Sequence, residues 1–334
     1  MKVLLVDADS MYSTTMDGKK ILRANLALMK ISSYLRDQGH EPSLAYYDTK
    51  GNFINPLEDP DDIWMSAVFT RSIDRVMELK EVYPDSRIGG SGYDFRITLP
   101  DEIEHIMPDY DLYGIDHSVG YTTRGCFRDC KFCIVPEKEG KIHHNATIDE
   151  FLRPGHDKVK LLDNNFFAGP RWRDHIEFIR EHDLQVSFNQ GIDVRIMTEE
   201  MAQAIASVKY RSGSFGGHYI HIAFDSTSYE DQFRKGVEIL LDHIKPYTVI
   251  VYILVGFDST IEDNQHRLDV VVDYGMYPFV MQHEHRSIVD HFFARYVNKR
   301  LYKKRSFDEY TSYRNWKIKI KGRYSEKDLL LRWK

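Results

Sequence analysis

The sequence predicts an α/β protein built in two successive parts, and three observations carry the prediction. Short apolar runs that end in an acid or amide alternate with segments of helical periodicity along most of the chain. That alternation is the pattern of parallel sheets with helices on their faces. The runs 2–6 and 249–255 are almost continuously apolar, as strands covered on both faces should be. After residue 112, six further strand–helix units follow before a basic closing segment, which suggests a barrel or partial barrel with its site at the carboxyl ends of the strands.

In the first part, residues 2–6 read as a short buried strand stopped by Asp7. Ile21, Leu22, Leu26, Leu28, Met29, Ile31, Tyr34 and Leu35 recur at helical spacing, so one helix is expected there, with Gly39 as its stop. Residues 43–47 and 63–69 are the next strands, and 74–82 the next helix. Arg87 and Ile88 lead into Gly89-Gly90-Ser91-Gly92. Ligands of such sheets sit at the carboxyl ends of strands, where Asp7, Asp9, Thr70 and the 89–92 loop fall. Glycines let a backbone approach a ligand closely, yet this loop is not G-x-G-x-x-G and also reads as a plain turn.

The second part begins after the linker 108–113. Its strands are expected at 118–123, 159–163, 185–189, 219–224, 249–255 and 278–281, with helices at 174–181 and 231–244 and others opened by Thr198 and Thr260. Glu200 in a first helical turn suits the positive helix end. Val289, Phe292, Phe293, Tyr296 and Val297 form a closing helical stripe.

All three cysteines lie in one stretch, Tyr121-Thr122-Thr123-Arg124-Gly125-Cys126-Phe127-Arg128-Asp129-Cys130-Lys131-Phe132-Cys133, spaced C-x3-C-x2-C. Three thiolates in eight residues can hold three corners of a cubane iron–sulfur cluster, leaving the fourth iron without a cysteine. An open position can take a substrate or cofactor, as at an open zinc site. Zinc with a histidine such as His117, His143 or His144 is the first rival, although structural zinc sites usually come as two separated pairs. Ordinary buried thiols would not cluster among Arg124, Arg128, Asp129 and Lys131. A two-cluster ferredoxin run would need a fourth cysteine, and an odd count argues against a disulfide framework.

With an aromatic, Phe132, just before the last cysteine, this spacing resembles the radical S-adenosylmethionine (SAM) superfamily. The lead-in Thr122-Thr123-Arg124-Gly125-Cys126 is similar to the branch that includes methylthiotransferases and cobalamin-linked enzymes. The resemblance implies a [4Fe–4S] cluster on Cys126, Cys130 and Cys133, whose open iron is chelated by SAM. It implies reductive cleavage of SAM to a 5′-deoxyadenosyl radical, and a reductant such as flavodoxin or ferredoxin. In fold, it implies a Rossmann-like, cobalamin-binding-like domain over 1–112 and a six-stranded partial (β/α)6 TIM-type barrel over 113–285. A helical, basic segment follows over 286–334. The D-x-H-x-x-G motif of many cobalamin domains is missing. His117-Ser118-Val119-Gly120 is a partial echo, with Ile115 in place of the Asp and outside the domain. Cobalamin therefore stands beside a rival, a domain that only packs on the barrel or binds the substrate. Three functions follow: modification begun by hydrogen abstraction, cobalamin-dependent methyl transfer, or a non-catalytic iron–sulfur protein that binds or senses nucleic acid.

The same resemblance gives roles to polar residues at the strand ends. By position, Asp163, Asn164 and Asn165 stand where the family holds the methionine amino group, and their oxygens can accept from an ammonium. An Asx turn is the plain alternative. Arg195 could clamp the methionine carboxylate or simply pair with Asp193. Asp225 and Ser226 could hold the ribose hydroxyls or cap the next helix. Phe132 is expected on the adenine or in the core. His283-Glu284-His285 follows the sixth strand. His283, His285 and Tyr252, with Gln282, are candidates for acid–base work on the substrate; a second metal site or a plain surface role are the other readings.

The hydrophobic fraction of 42% and charged fraction of 29% belong to a folded globular chain, and 18 Phe with 21 Tyr exclude disorder. No apolar run approaches a membrane span, and the four apolar residues before Asp7 are too few for a signal-peptide core. A cytoplasmic location, where thiols stay reduced, is expected. The net charge of −6 hides an asymmetry: residues 294–334 carry 14 Lys/Arg against 4 Asp/Glu. Tyr302, Tyr310, Tyr313, Trp316 and Tyr324 interleave these cations, which suits base stacking beside phosphate contacts or docking on the acidic body. The segment has no cysteine for an auxiliary cluster, and it is too short to equal the RNA-binding domain of methylthiotransferases.

Overall fold

The structure is a computed structural model that describes residues 1–10, 12–14, 20–48, 50–283 and 288–311. It divides into two compact units. The first holds Met1–Arg128, Ile134–Asn189 and Gly213–Gly216; the second holds Asp129–Cys133, Gln190–Ser212 and the described residues from Gly217 on.

A five-stranded sheet opens the first unit, in the order Phe53–Ile54, Glu41–Tyr47, Lys2–Ser10, Asp62–Ser66, Arg87–Gly89. All pairs are parallel except the one made by Phe53–Ile54. Lys2–Ser10 takes the centre because it is apolar on both faces. Leu4, Val6 and Ala8 pack with Ala45, Ile63, Met65 and Val76, while Val3 and Leu5 pack with Leu28, Ile31, Leu35 and Ile103. Successive strand residues point to opposite faces, so helix Ile73–Val82 covers one side and helix Leu26–Asp37 the other. Each fully buried Leu or Val here contributes roughly 1.5–3 kcal/mol.

The helix expected from Ile21 begins only at Leu26. Asn25 stops it: its backbone is extended, its side-chain oxygen accepts from Leu28 N at 3.2 Å, and its Nδ2 donates to Ser66 Oγ at 2.8 Å. Lys20–Leu22 instead pairs antiparallel with Tyr12–Thr14. The strand expected over 63–69 likewise ends at Ser66, because Val68 N and Phe69 N turn to donate to Asp9.

Further along the first unit, Ser118–Gly120, Lys158–Leu161 and Gln185–Phe188 run parallel with Lys158–Leu161 in the middle. In the second unit, Ile220–Ala223, Val249–Val255 and Tyr277–Gln282 run parallel with Val249–Val255 in the middle. Val249, Val251, Ile253 and Val255 are wholly buried, as the sequence pattern requires. Thr198 and Thr260 cap their helices as expected, accepting from Met201 N and Asp263 N. Asn298, on helix Ile288–Asn298, pairs its amide with both the N–H and the carbonyl of Val280, satisfying backbone groups of Tyr277–Gln282. All six strands of the expected repeats are thus present, three in each unit. Among the described residues they do not join into a closed barrel, and no described helix is long and apolar enough to cross a membrane.

Candidate functional site

The approach to Cys126 is braced from several sides within the first unit. Gly125 sits at φ +76°, and a Cβ there would stand 2.4 Å from the Lys141 carbonyl oxygen. Only glycine fits, and Cys126 N then donates to Gly140 O at 3.1 Å. Arg124 stacks over the Tyr121 ring at 3.7 Å and reaches two carboxylates, Glu104 at 2.9 Å and Glu139 at 3.3 Å. Glu139 also accepts from Gly125 N at 3.0 Å and from Asn164 Nδ2 at 2.8 Å. Lys30, 5% exposed, pairs with Glu104 at 2.9 Å. Burial acts to raise the Glu104 pKa, but Lys30 and Arg124 outweigh it and leave the carboxyl below its ordinary value. The lead-in is therefore tied to helix Leu26–Asp37 of the five-stranded sheet through a buried chain of alternating charges.

Asp163 is 3% exposed and accepts four hydrogen bonds: from Thr122 N at 3.2 Å, Thr122 Oγ1 at 2.5 Å, Thr123 N at 2.6 Å and Thr123 Oγ1 at 2.8 Å. Burial still pushes its carboxyl above the usual range. Asn164 is turned to Glu139, and Asn165 is 2% exposed. Two of the three residues expected at the methionine amino group thus hold the cysteine loop's lead-in.

In the second unit, Cys130 and Cys133 are half-buried, and Cys133 N donates to Cys130 O at 2.8 Å in a tight turn. The Phe132 ring meets Phe257 edge-on at 5.7 Å, and Phe257 meets His283 at 4.9 Å. Arg195 makes the pairing foreseen as its plain alternative: Nε and Nη2 reach Asp193 at 2.7 and 3.1 Å, and the guanidinium lies over Tyr229 at 4.5 Å. Burial acts to lower its pKa, but Asp193, Tyr229 and the Cys130 sulfur together raise it.

Asp225 is pushed up to about 6 by burial, against the pull of Arg267 and Arg195. Its backbone N and that of Ser226 both donate to Tyr229 Oη, at 2.5 and 3.2 Å. Ser226 Oγ accepts from Ser228 N at 3.2 Å, so Ser226 caps the short turn Thr227–Tyr229. Tyr252 stacks on His221 at 5.0 Å; burial pushes the tyrosine up to about 12 and the histidine down to about 4, so both are neutral near pH 7. Gln282 Oε1 is buried with no partner among the described residues. His283 is exposed, and His285 with Glu284 lies outside the described residues. Phe132 and His283 are thus joined through Phe257, whereas Tyr252 has its own neighbours, His221 and Phe279.

No family model matches the chain. It is similar to two proteins named tRNA-2-methylthio-N(6)-dimethylallyladenosine synthase. The one from Aquifex aeolicus (strain VF5) is 25% identical over 218 residues, which cover 58% of this chain and 49% of the relative. The one from Hydrogenobaculum sp. (strain Y04AAS1) is 22% identical over 314 residues, 72% of this chain and 69% of the relative. The chain thus spans about half the length of the first relative.

The donor set of the loop suits an iron–sulfur cluster. Arg128 N donates to Cys126 Sγ at 3.4 Å, and the positive Arg195 acts on Cys130. Donors and cations of this kind are what cluster sulfurs are commonly set among. A mononuclear zinc would need its ligands drawn around one point; among the described residues no group of three His, Cys, Asp or Glu is so placed, the three cysteines included. The candidate histidines are engaged elsewhere: His117 with Asp116 and Phe215, His143 with the Lys141 carbonyl, His144 stacked on His175.

Sequence reasoning passed over Arg267, Glu104, Glu139 and Lys30. Arg267 is completely buried and donates to the carbonyls of Phe224 and Leu254, fixing the ends of two strands beside Asp225. One signal was present for two of them. Lys30 follows Leu28 and Met29 and precedes Ile31, and Arg267 precedes Leu268; a lone cation inside an apolar helical stripe needs a buried partner.

Proposed function

We propose that the chain is a radical SAM enzyme that modifies a nucleoside of an RNA, tRNA being the first to try. The cysteine loop carries the reading: three thiols spaced C-x3-C-x2-C, held by a glycine no other residue could replace and by the buried pair of Arg124 and Glu139. The names of the two relatives support tRNA as substrate. Cys126, Cys130 and Cys133 would ligate a [4Fe–4S] cluster, which with SAM supplies a carbon-centred radical when both are bound. Arg195 and Asp225 remain our candidates for the SAM carboxylate and ribose, Phe132 for its adenine.

The barrel reading places 113–285 as a partial (β/α)6 barrel and 1–112 as a Rossmann-like domain ahead of it. We favour a brace over a cobalamin site for that domain. Asp9 accepts from Val68 N, Phe69 N and Ser72 Oγ, Asp7 accepts from Tyr113 Oη, and added Cβ atoms on Gly90 and Gly92 would strike the Ala67 and Phe69 backbones. The strand-end residues that looked like ligand contacts are spent on the domain itself. In the basic segment, exposed Arg300 and Lys303 flank the Tyr277 ring at 5.0 and 5.7 Å. Cations beside an aromatic suit a nucleic-acid backbone.

The test is anaerobic purification, iron and sulfide analysis, and incubation with SAM, dithionite and tRNA. We expect about four iron and four sulfide per chain, 5′-deoxyadenosine, and a mass change in one tRNA nucleoside. A Cys126→Ala/Cys130→Ala/Cys133→Ala variant should lose all three. If it still cleaves SAM, the reading fails. If the intact protein binds a cluster but leaves SAM whole, a binding or sensing protein takes its place.

A further inference from the structure

One loop, with its residues 213–216 in the first unit, has no part in the reading above. Its sequence, Ser212-Gly213-Ser214-Phe215-Gly216-Gly217, is rich in glycine and serine around one aromatic. Phe215 adopts φ +58°, a left-handed conformation that costs a non-glycine residue energy and persists only where packing holds it. Here the ring is held against His117 at 5.2 Å, and the Lys160 Nζ stands 6.0 Å from its centroid. Beside it, a Cβ on Gly213 would lie 2.9 Å from Asn189 Oδ1, so the loop backbone runs directly against that amide.

Lys160 is the unusual member. It lies on strand Lys158–Leu161, whose Val159 and Leu161 are buried. Its neighbour Lys158 pairs with Asp116 at 2.5 Å, and Asp116 also holds His117. Lys160 itself makes no hydrogen bond or ion pair with any described residue, although it is largely shielded from solvent. Among the described residues, the charge that acts to raise its pKa is that of Asp116, already paired with Lys158 and His117, and a shielded ammonium with so little compensation is costly. Such a charge is complemented when a ligand brings the anion. Backbone N–H groups of a glycine-rich turn together with a lysine point charge are suited to phosphate.

We propose that Lys160, Asn189 and the backbone of 213–216 form a binding site for a phosphate group, that of a nucleotide. The lysine is poised for this: burial has brought its pKa down to about 8, so an arriving anion regains the lost stabilisation of its charge. The proposal deepens the RNA reading by placing one phosphate of the substrate, but phosphate binding requires neither cluster turnover nor SAM. Its failure and the failure of the radical reading are therefore separate results.

The test is calorimetric titration of the full, cluster-loaded chain with AMP, adenosine and inorganic phosphate. We expect AMP to bind at least about tenfold tighter than adenosine, the worth of one charge-assisted hydrogen bond. Lys160→Met should erase that difference, and Lys160→Arg should keep most of it. The Met variant should melt no lower than the parent, because it removes a poorly compensated charge. Inorganic phosphate binding as tightly as AMP, with the same dependence on Lys160, would support the site and assign it to free phosphate. Equal binding of AMP and adenosine, or no binding of AMP or phosphate up to about 10 mM, would overturn the proposal without recourse to any variant. So would a Lys160→Met protein that still discriminates.

Discussion

Asp163 and Asp225 each follow a strand in which apolar and polar residues alternate, and that pattern offers no reason to treat them differently. Their surroundings do. Asp163, in the first unit, accepts from four donors on Thr122 and Thr123. Its oxygens are consumed in holding the chain that leads to Cys126. Asp225, in the second unit, is half-buried, its counter-charges are Arg267 and Arg195, and its pKa is about 6. Arg267 spends hydrogen bonds on two carbonyls and Arg195 on Asp193. The first carboxylate is a structural anchor. The second is the one we propose for a ligand. A strand-end acid is thus read by where its donors come from, not by its position.

The comparison breaks most readily at Asp163. Asp163→Ala leaves two backbone N–H groups and two hydroxyls buried without their acceptor, and losing a buried charged network costs about 3–5 kcal/mol. We expect a protein that melts well below the parent and returns little iron after anaerobic reconstitution. An Asp163→Ala protein with full iron and an unchanged melting point would remove the distinction. Next is Gly125→Ala, which puts a Cβ 2.4 Å from the Lys141 carbonyl and holds alanine at φ +76°. It should cost about 2–3 kcal/mol in combined strain and clash, again read as iron lost per chain.

Asp225→Asn should behave differently. The variant should fold and keep its iron, because no part of the cysteine lead-in rests on Asp225. Its KM for SAM in 5′-deoxyadenosine formation should rise by about a hundredfold if the carboxylate holds the ribose. The parent's kcat/KM should fall as pH drops through about 6, where Asp225 takes up a proton, and the Asn variant should lack that limb. An unchanged KM would return Asp225 to the role of Arg267's counter-charge.

Much of this contrast was invisible in one dimension. The two sheet centres were legible, because Val3 to Val6 and Val249 to Val255 are apolar at every position or nearly so. Thr198 and Thr260 announced their helices. The cysteine spacing was legible because its chemistry is local to eight residues. What failed to show were partners far apart in sequence. Arg124 meets Glu104 and, through it, Lys30, and no periodicity links residues 30, 104 and 124. Ile21 and Leu22 fitted a helical stripe, and only the Asn25 cap reveals that the helix starts later. Nothing in the sequence separates Lys160 from Lys158 two residues earlier, yet of the two only Lys158 stands within hydrogen-bond reach of Asp116.

A third acid, Asp7, within strand Lys2–Ser10, sharpens the comparison through pH alone, without touching the cysteine loop. Asp7 is 2% exposed, accepts from Tyr113 Oη at 2.7 Å and from Asp9 N at 3.1 Å, and has no cation bound to it among the described residues. Burial, with the nearby Asp9 charge, raises its pKa from 3.8 to about 7. The folded state therefore keeps a proton that the unfolded chain releases near pH 4. The stability this gives is complete below about pH 4 and is lost progressively as pH rises to about 7. Asn at position 7 has no proton to lose and can still accept from Tyr113. Asp7→Asn should thus gain on the parent between pH 4 and pH 8 in urea unfolding, by up to the roughly 4 kcal/mol that such a shift is worth, with 5′-deoxyadenosine formation untouched. A stability difference that stays flat across that range would mean that Asp7 is ionised in the fold and has found a cation; an effect on SAM cleavage would mean that the strand ends of the five-stranded sheet serve the reaction after all.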